Sequence, residues 1–477
     1  MEASGLWMLA TAAVLMLATG LPAWVVLTGV ALAFSALGVA LGAFEPGLLA
    51  ALYSRLVGLL ENDLLQALPL YVLMGALINR LPLADVLFRA GARALAWTGC
   101  GGALAGLGLG VILAPMSGSV GASASMLTRT VYPRLPSGGG GAPRNLALVC
   151  MASTLGVVIP PSLVLILLGD AMLRAHTEAA NVTGLVGRII NTQDVFHAAL
   201  VPAAILLALC IAIVAATRRS APENSRAAPP LRPGEWAVAI GTFLLVAGLL
   251  SGVALGYLYA VEAAATGGVA LVAYGLASRT LGRKVLAETL EDTMALTGAL
   301  FALLAGATFF TLVQRAFGTD RWLAAAFAQF SGSATLLLVV VLAGLALCAL
   351  VLDAFEMIFV VIPLVIPPLL TRVTDATWVA VLTLLILQAS FLVPPFGYAV
   401  LMARSRVAER VPTLALARAL APYVVAQAIV LAIVVVFPRV LWRDMASESL
   451  RTAPLSPASD EKARDLFEQQ LQQNERK

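Results

Sequence analysis

Long apolar runs, rather than amphipathic alternation, dominate the pattern of this chain. Trp7 to Ala18, Trp24 to Leu41, Val195 to Ala216, Trp236 to Leu250 and Pro422 to Phe437 are almost free of charge. Most such runs can cross ~30 Å of hydrocarbon as helices, which satisfy their own backbone polar groups in lipid. The pattern predicts about a dozen crossings or re-entrant pieces, and hence an all-α integral membrane protein.

The interruptions of the apolar pattern are themselves ordered. Pro160-Pro161 and Pro394-Pro395 lie 234 residues apart, and the same offset carries Pro133 onto Pro367 and Ser119 onto Asp353. The chain therefore reads as two related halves, each with a polar hairpin tip followed by a broken helix, a pattern that points to a transporter's binding site. Tandem prolines remove two backbone donors and push the preceding residue out of helical geometry. The half-helix that ends there leaves carbonyls suited to a hard cation, and the half that begins there turns N–H groups toward an anion. Ser117, Gly118 and Ser119 form the first tip, with Gly121, Ser123 and Ser125 behind it. Such small residues also serve close helix packing, and a single proline break is also an ordinary kink. At the second tip Asp353 and Glu356 stand three apart, which on a helix places them on one face. A Na⁺ ion and the backbone amides of a half-helix N-terminus are the two candidate partners for Asp353.

Composition agrees with a membrane protein: 60% of residues are hydrophobic, 12% are charged and the mean hydropathy is +0.94. The net charge of +4 does not mark a nucleic-acid binder, because the basic residues cluster at helix ends rather than on one face. Arg80, Arg89 and Arg93; Arg129, Arg134 and Arg144; Arg218, Arg219, Arg226 and Arg232; Arg279, Arg283 and Lys284; and Arg404, Arg406, Arg410 and Arg418 make 17 on one side. Arg55, Arg174, Arg188, Arg315, Arg321, Arg372, Arg439 and Arg443 make 8 on the other. The positive-inside bias then places both termini outside the cytoplasm, provided Ala94 to Pro133 and Trp322 to Pro368 enter and leave from the same side. Only Glu2 is charged ahead of the first run, so that run reads as a retained helix and not a signal peptide. Cys100, Cys150, Cys210 and Cys348 have no metal-ligand spacing and read as core fillers. Glu262 reads as a structural carboxylate, and His176 and His197 as surface residues flanking an exposed stretch from Ala171 to Asp194. Phosphate-loop, nucleophile-elbow and His-Glu-x-x-His motifs are missing from the sequence, which leaves neither ATP hydrolysis nor an intramembrane enzyme with support.

These signals divide the chain into scaffold helices (1–93), a first hairpin and broken helix (94–170), an insertion, helix and cytoplasmic linker (171–235) and a second scaffold set (236–321). A second hairpin and broken helix (322–410), a last transmembrane helix (411–443) and a charged tail (444–477) follow.

The Ser117 to Gly121 tip, Gly156 to Ser162, Tyr259 to Ala264, Leu352-Asp353 and Pro394 to Gly397, in this order, make the sequence resemble the large membrane (M) subunit of tripartite ATP-independent periplasmic (TRAP) transporters. The resemblance runs to about Arg443. It implies an ion-transporter-superfamily elevator fold with two inverted repeats, each holding a re-entrant hairpin and a broken helix. It implies Na⁺-driven uptake of an organic acid through the bacterial or archaeal inner membrane. A periplasmic substrate-binding protein would deliver the acid, and a separate small four-helix membrane subunit, not fused here, would enlarge the scaffold. One Na⁺ site would take Ser117, Gly118, Ser119, Leu155 and Gly156, and the other Asp353, Ser390 and Val393. Ser119, Pro161, Ser162, Pro395 and Gly397 would face the substrate. Gln388 and Val393 depart from the Glu and Thr that many members carry around the second proline pair, which shifts coordination there toward backbone carbonyls. The long Ala171 to Asp194 insertion resembles the branch associated with 2-oxo and 2-hydroxy monocarboxylates, among others. The competing reading is a stand-alone ion-coupled anion carrier or antiporter that needs no binding protein.

Overall fold

The computed structural model describes residues 4–61, 63–117, 119–135, 141–160, 162–184, 190–218, 231–394 and 397–438. Gly118, Pro161 and Pro395, and the side chain of Ser117, lie outside the described residues. Helices α1 (Ser4–Thr19), α2 (Ala23–Ala40), α3 (Ala51–Leu60), α4 (Asp63–Arg80) and α5 (Leu83–Ala94) lead into a helical hairpin, α6 (Gly101–Leu113) and α7 (Val120–Thr130). The broken helix follows as α8 (Gly141–Val158) and α9 (Leu163–Thr183), then α10 (Thr192–Arg218). The second half contains α11 (Pro233–Ala254), α12 (Ala260–Ala277), α13 (Arg283–Ala316), α14 (Thr319–Ala328) and α15 (Ala334–Cys348). There α16 (Ala354–Glu356) continues through a π-helical turn, Met357–Val361, into α17 (Ile362–Leu370). Last come α18 (Ala376–Ser390), α19 (Tyr398–Ser405) and α20 (Thr413–Val436). Among the described residues there is no strand, and 7 spans are long and apolar enough to cross a membrane, α8 and α9 together counting as one. The protein is a multi-pass helical membrane protein.

The 234-residue offset persists in the element boundaries. It carries Val120, the first residue of α7, onto Ala354, the first of α16. It also carries α3 and α4 into the span of α13, with one difference: the first half bends by 54° between the two helices where α13 runs unbroken for 34 residues.

Packing separates the helices into two groups. In the first, α13 lies against α2 and α4, α12 against α4, and α11 against α5. In the second, α6 and α7 pack on α8, α15 on α18, α9 on α17 and α18, and α19 on α7 and α8. The groups meet along α5, which packs extensively on α6, and at two matched places: α4 touches the Pro115–Ser117 turn of the first tip, and α13 touches the π-helical turn after the second. Both α8 and α18 are buried along nearly their whole length, so the helices that carry the breaks form the centre. Burial on all sides means that a carbonyl freed at a break must find its partner inside the protein.

Charged residues gather in two clusters. Asp85 pairs with Arg89 and Arg134, Arg89 also pairs with Glu235, and Arg80 pairs with Glu288 and Asp292, all at one set of helix ends. Arg55, Arg174 and Arg315 converge at another. The four cysteines are free. Glu262 is structural as read, its Oε2 accepting the Tyr259 N–H at the start of α12 at 2.9 Å. The stretch from Ala171 corrects one reading. It is not an exposed insertion at its outset, because α9 continues through Thr183 and buries Ala171, Met172, Ala175 and Ala179. The extra residues first lengthen a packed helix.

Candidate functional site

At the first break the chemistry follows from which carbonyls lose their donors. In a helix the N–H of residue i+4 serves the carbonyl of residue i, so Pro160 frees the Gly156 carbonyl and Pro161 frees that of Val157. Ser162 closes one of these gaps. Its Oγ donates to the Val157 carbonyl at 3.1 Å and accepts the Leu165 N–H at 3.1 Å, so one hydroxyl ties the end of α8 to the start of α9. Leu155 keeps its helical partner, Ile159 N–H, at 3.0 Å. The Gly156 carbonyl is the one made available.

The end of α6 that leads into the first tip is seated against Gly156 itself. A Cβ on Gly156 would lie 2.5 Å from the Ala114 carbonyl carbon, and one on Gly110 would lie 2.4 Å from the Ala152 oxygen. Glycine at both positions lets hairpin and broken helix meet backbone to backbone. Ser119 caps α7 by accepting the Ala122 N–H at 3.1 Å, and Ser123 Oγ donates to the Ser119 carbonyl at 3.1 Å. Between them lies a cavity of about 10 Å³ walled by Ser119, Ser123, Ser153, Gly156 and Ser162 together with apolar Ala114, Pro115, Val120, Val157, Leu163 and Val164. That is room for one water or one small ion. Hydroxyl and carbonyl oxygens with no fixed charge suit a hard monovalent cation, so the donor set fits Na⁺. Ser153 was not among the sequence candidates. Its signal was its place three residues before Gly156, on the same face of α8.

The second tip is built differently from its expectation. Asp353 and Glu356 do not share a helical face. Asp353 is the N-cap of α16, outside the helix, and the Glu356 carboxylate turns back to accept the Asp353 N–H at 3.1 Å. The two carboxylates form a reciprocal capping box, in which the Asp353 carboxylate in turn accepts backbone N–H of the first turn of α16, so backbone amides are one of its partners and a cation is offered only its remaining lone pairs. At the second break the Ser390 hydroxyl donates to the Leu387 carbonyl at 2.7 Å, and the Val393 carbonyl accepts the Gly397 N–H at 2.8 Å. Each therefore offers a cation only its remaining lone pairs. Gly397 is required by crowding, since a Cβ would stand 2.5 Å from the Phe391 oxygen. Gln388 is fully buried, and neither end of its amide meets a partner among the described residues.

Tyr398 joins the halves, and the sequence did not single it out. It follows the second break, lies within electrostatic reach of Asp353 and Glu356, and places its hydroxyl against Gly121 of the first hairpin. A Cβ on Gly121 would stand 2.8 Å from that oxygen. The first tip, the second tip and the start of α19 thus converge.

The model of the family described as the tripartite ATP-independent periplasmic transporter, DctM component, matches residues 10–440. The chain belongs to the DctM family. The DctM-family assignment agrees with a 23% identity over 393 residues to the sialic acid TRAP transporter permease protein SiaT of Haemophilus influenzae. That match covers 81% of this chain and 60% of the relative, so this DctM-family chain spans less than two thirds of that protein's length. Its fold is similar to the Alcanivorax borkumensis YdaH transporter, with a TM-score of 0.56, 17% identity, and coverage of 84% of this chain and 90% of that one.

Proposed function

We propose that this DctM-family chain is the permease of a Na⁺-coupled importer of an organic acid. The observation that carries the reading is the small cavity where the first tip meets the first break, into which four serines and Gly156 are gathered among apolar side chains. In this reading the two halves are inverted repeats, and the group containing both hairpins and both breaks moves as an elevator against the group built on α4 and α13. One Na⁺ is held by Ser119, the Gly156 carbonyl and the tip backbone. The other is held by Asp353 with the remaining lone pairs of Ser390 and Val393. The acid lies between the breaks, near Ser162 and Gly397, where α9 and α19 begin and their N–H groups favour negative charge. A periplasmic binding protein supplies the acid and a small four-helix subunit completes the scaffold, in the inner membrane with both termini outside the cytoplasm. Family membership supports these partners.

The test is uptake of labelled organic acids into proteoliposomes under an imposed Na⁺ gradient, with and without the binding protein and small subunit. Uptake that needs Na⁺ and both partners is expected, and Asp353→Asn is expected to weaken the Na⁺ dependence. Na⁺-independent uptake, or an unchanged Na⁺ response in Asp353→Asn, overturns the coupling scheme. Full activity of this chain alone favours the stand-alone carrier.

A further inference from the structure

A second cavity, of about 420 Å³, lies between α3, α9, α13 and α17, apart from the breaks. Its charged lining is Arg55, Asp170, Arg174, Glu178 and Arg315, three cations against two carboxylates. Two of the cations are already matched: Arg174 Nε donates to Asp170 at 3.0 Å and Arg315 donates to Glu178 at 2.9 Å. Arg315 also reaches the Pro363 carbonyl at 3.4 Å, which fixes its guanidinium on the wall shared with α17. Among the described residues Arg55 has no ion pair and no hydrogen bond, although Arg315 and Glu178 lie within its electrostatic reach. Apolar side chains, including Leu304 and Phe359, complete the wall. The cavity therefore offers one uncompensated positive charge beside an apolar surface, in a volume that suits a small organic anion.

The cavity is built on helices that also carry the proposed transport site. Its α9 face carries Asp170 and Arg174 at eight and twelve residues from Ser162, about 12 to 18 Å along the same helix. Phe359 belongs to the π-helical turn that follows the second tip. We propose that this cavity is an anion-binding vestibule, in which the carboxylate of the organic acid docks on Arg55 and its apolar body lies against the α13 and α17 wall. The proposal rests on the organic-acid reading above for the identity of the solute. Arg55 is exposed and has no ion-pair partner among the described residues, so its replacement leaves no buried charge behind.

One test needs no transport. The purified protein in nanodiscs of zwitterionic lipid is treated with phenylglyoxal, and modification of Arg55 is followed by peptide mass. Sodium acetate, lactate and succinate are compared with sodium chloride and sodium phosphate at matched ionic strength. Carboxylates are expected to slow modification of Arg55 by about threefold or more relative to chloride. Equal protection by chloride, or no protection by any carboxylate, overturns the vestibule. Protection conferred by anionic lipid in the nanodisc assigns the site to lipid phosphate and overturns it as well. In uptake assays, Arg55→Gln is expected to raise the half-saturating acid concentration about three- to tenfold while Na⁺ dependence is kept, with Arg55→Lys recovering part of the loss. An unchanged concentration dependence in Arg55→Gln overturns the proposal. Wild-type protein without Na⁺-driven uptake would instead sink the transport reading, and the protection assay would still decide the vestibule.

Discussion

Single residues decide whether a broken helix is a defect or a site. The Ser162 hydroxyl donates to one freed carbonyl and caps the next helix, both at 3.1 Å. Ser162→Ala removes both bonds at a buried position and is expected to cost about 1 kcal/mol, seen as a lower thermal unfolding midpoint and reduced uptake. Ser162→Thr keeps the hydroxyl and is expected to restore much of the loss; equal behaviour of the two variants would deny the hydroxyl this role. The sequence disclosed Ser119, Gly156, Ser162 and Asp353 because each interrupts an apolar run or borders a proline pair. It did not disclose Ser153 or Tyr398. An isolated hydroxyl or phenol inside a helix says nothing of what it faces until the neighbouring helix is placed. The same limit explains Glu356: its spacing from Asp353 suggested a shared face, and only the cap geometry revealed that it turns back onto the backbone.

At the scale of the element, the tandem prolines matter because of where their helices run. Since α8 and α18 are buried along nearly their whole length, no solvent is at hand to satisfy a freed carbonyl. Replacing Pro160-Pro161 by Ala-Ala returns donors to the Gly156 and Val157 carbonyls and allows one continuous helix. Uptake is expected to fall to background while the purified protein stays folded, as thermal unfolding would measure. Wild-type uptake would mean that the break does not build the site. The helices, the breaks and the hairpins were legible from apolar run length and proline position. The continuation of α9 through Thr183 was not, because its polar residues concealed the buried stripe of Ala171, Met172, Ala175 and Ala179.

In the whole molecule, the 234-residue offset pairs element with element, yet the halves touch at a contact that neither half could specify alone. The Tyr398 hydroxyl rests against Gly121, so an added methyl at 121 must push the outer end of the Tyr398 ring rather than the backbone. Gly121→Ala is expected to leave unfolding stability nearly unchanged and to cost about tenfold in uptake, the scale of a small misplacement at a positioned site. Uptake at the wild-type rate would show that the contact is incidental. Helix α13 has a different use. Its 34 unbroken residues extend about 51 Å, more than the ~30 Å of hydrocarbon, from Arg283 at one end to Arg315 in the second cavity near the other. Spin or fluorescent labels near its two ends would hold a fixed separation through a transport cycle. The helix would thus serve as a built-in ruler, against which a label on α7 or α19 is read as moving or still.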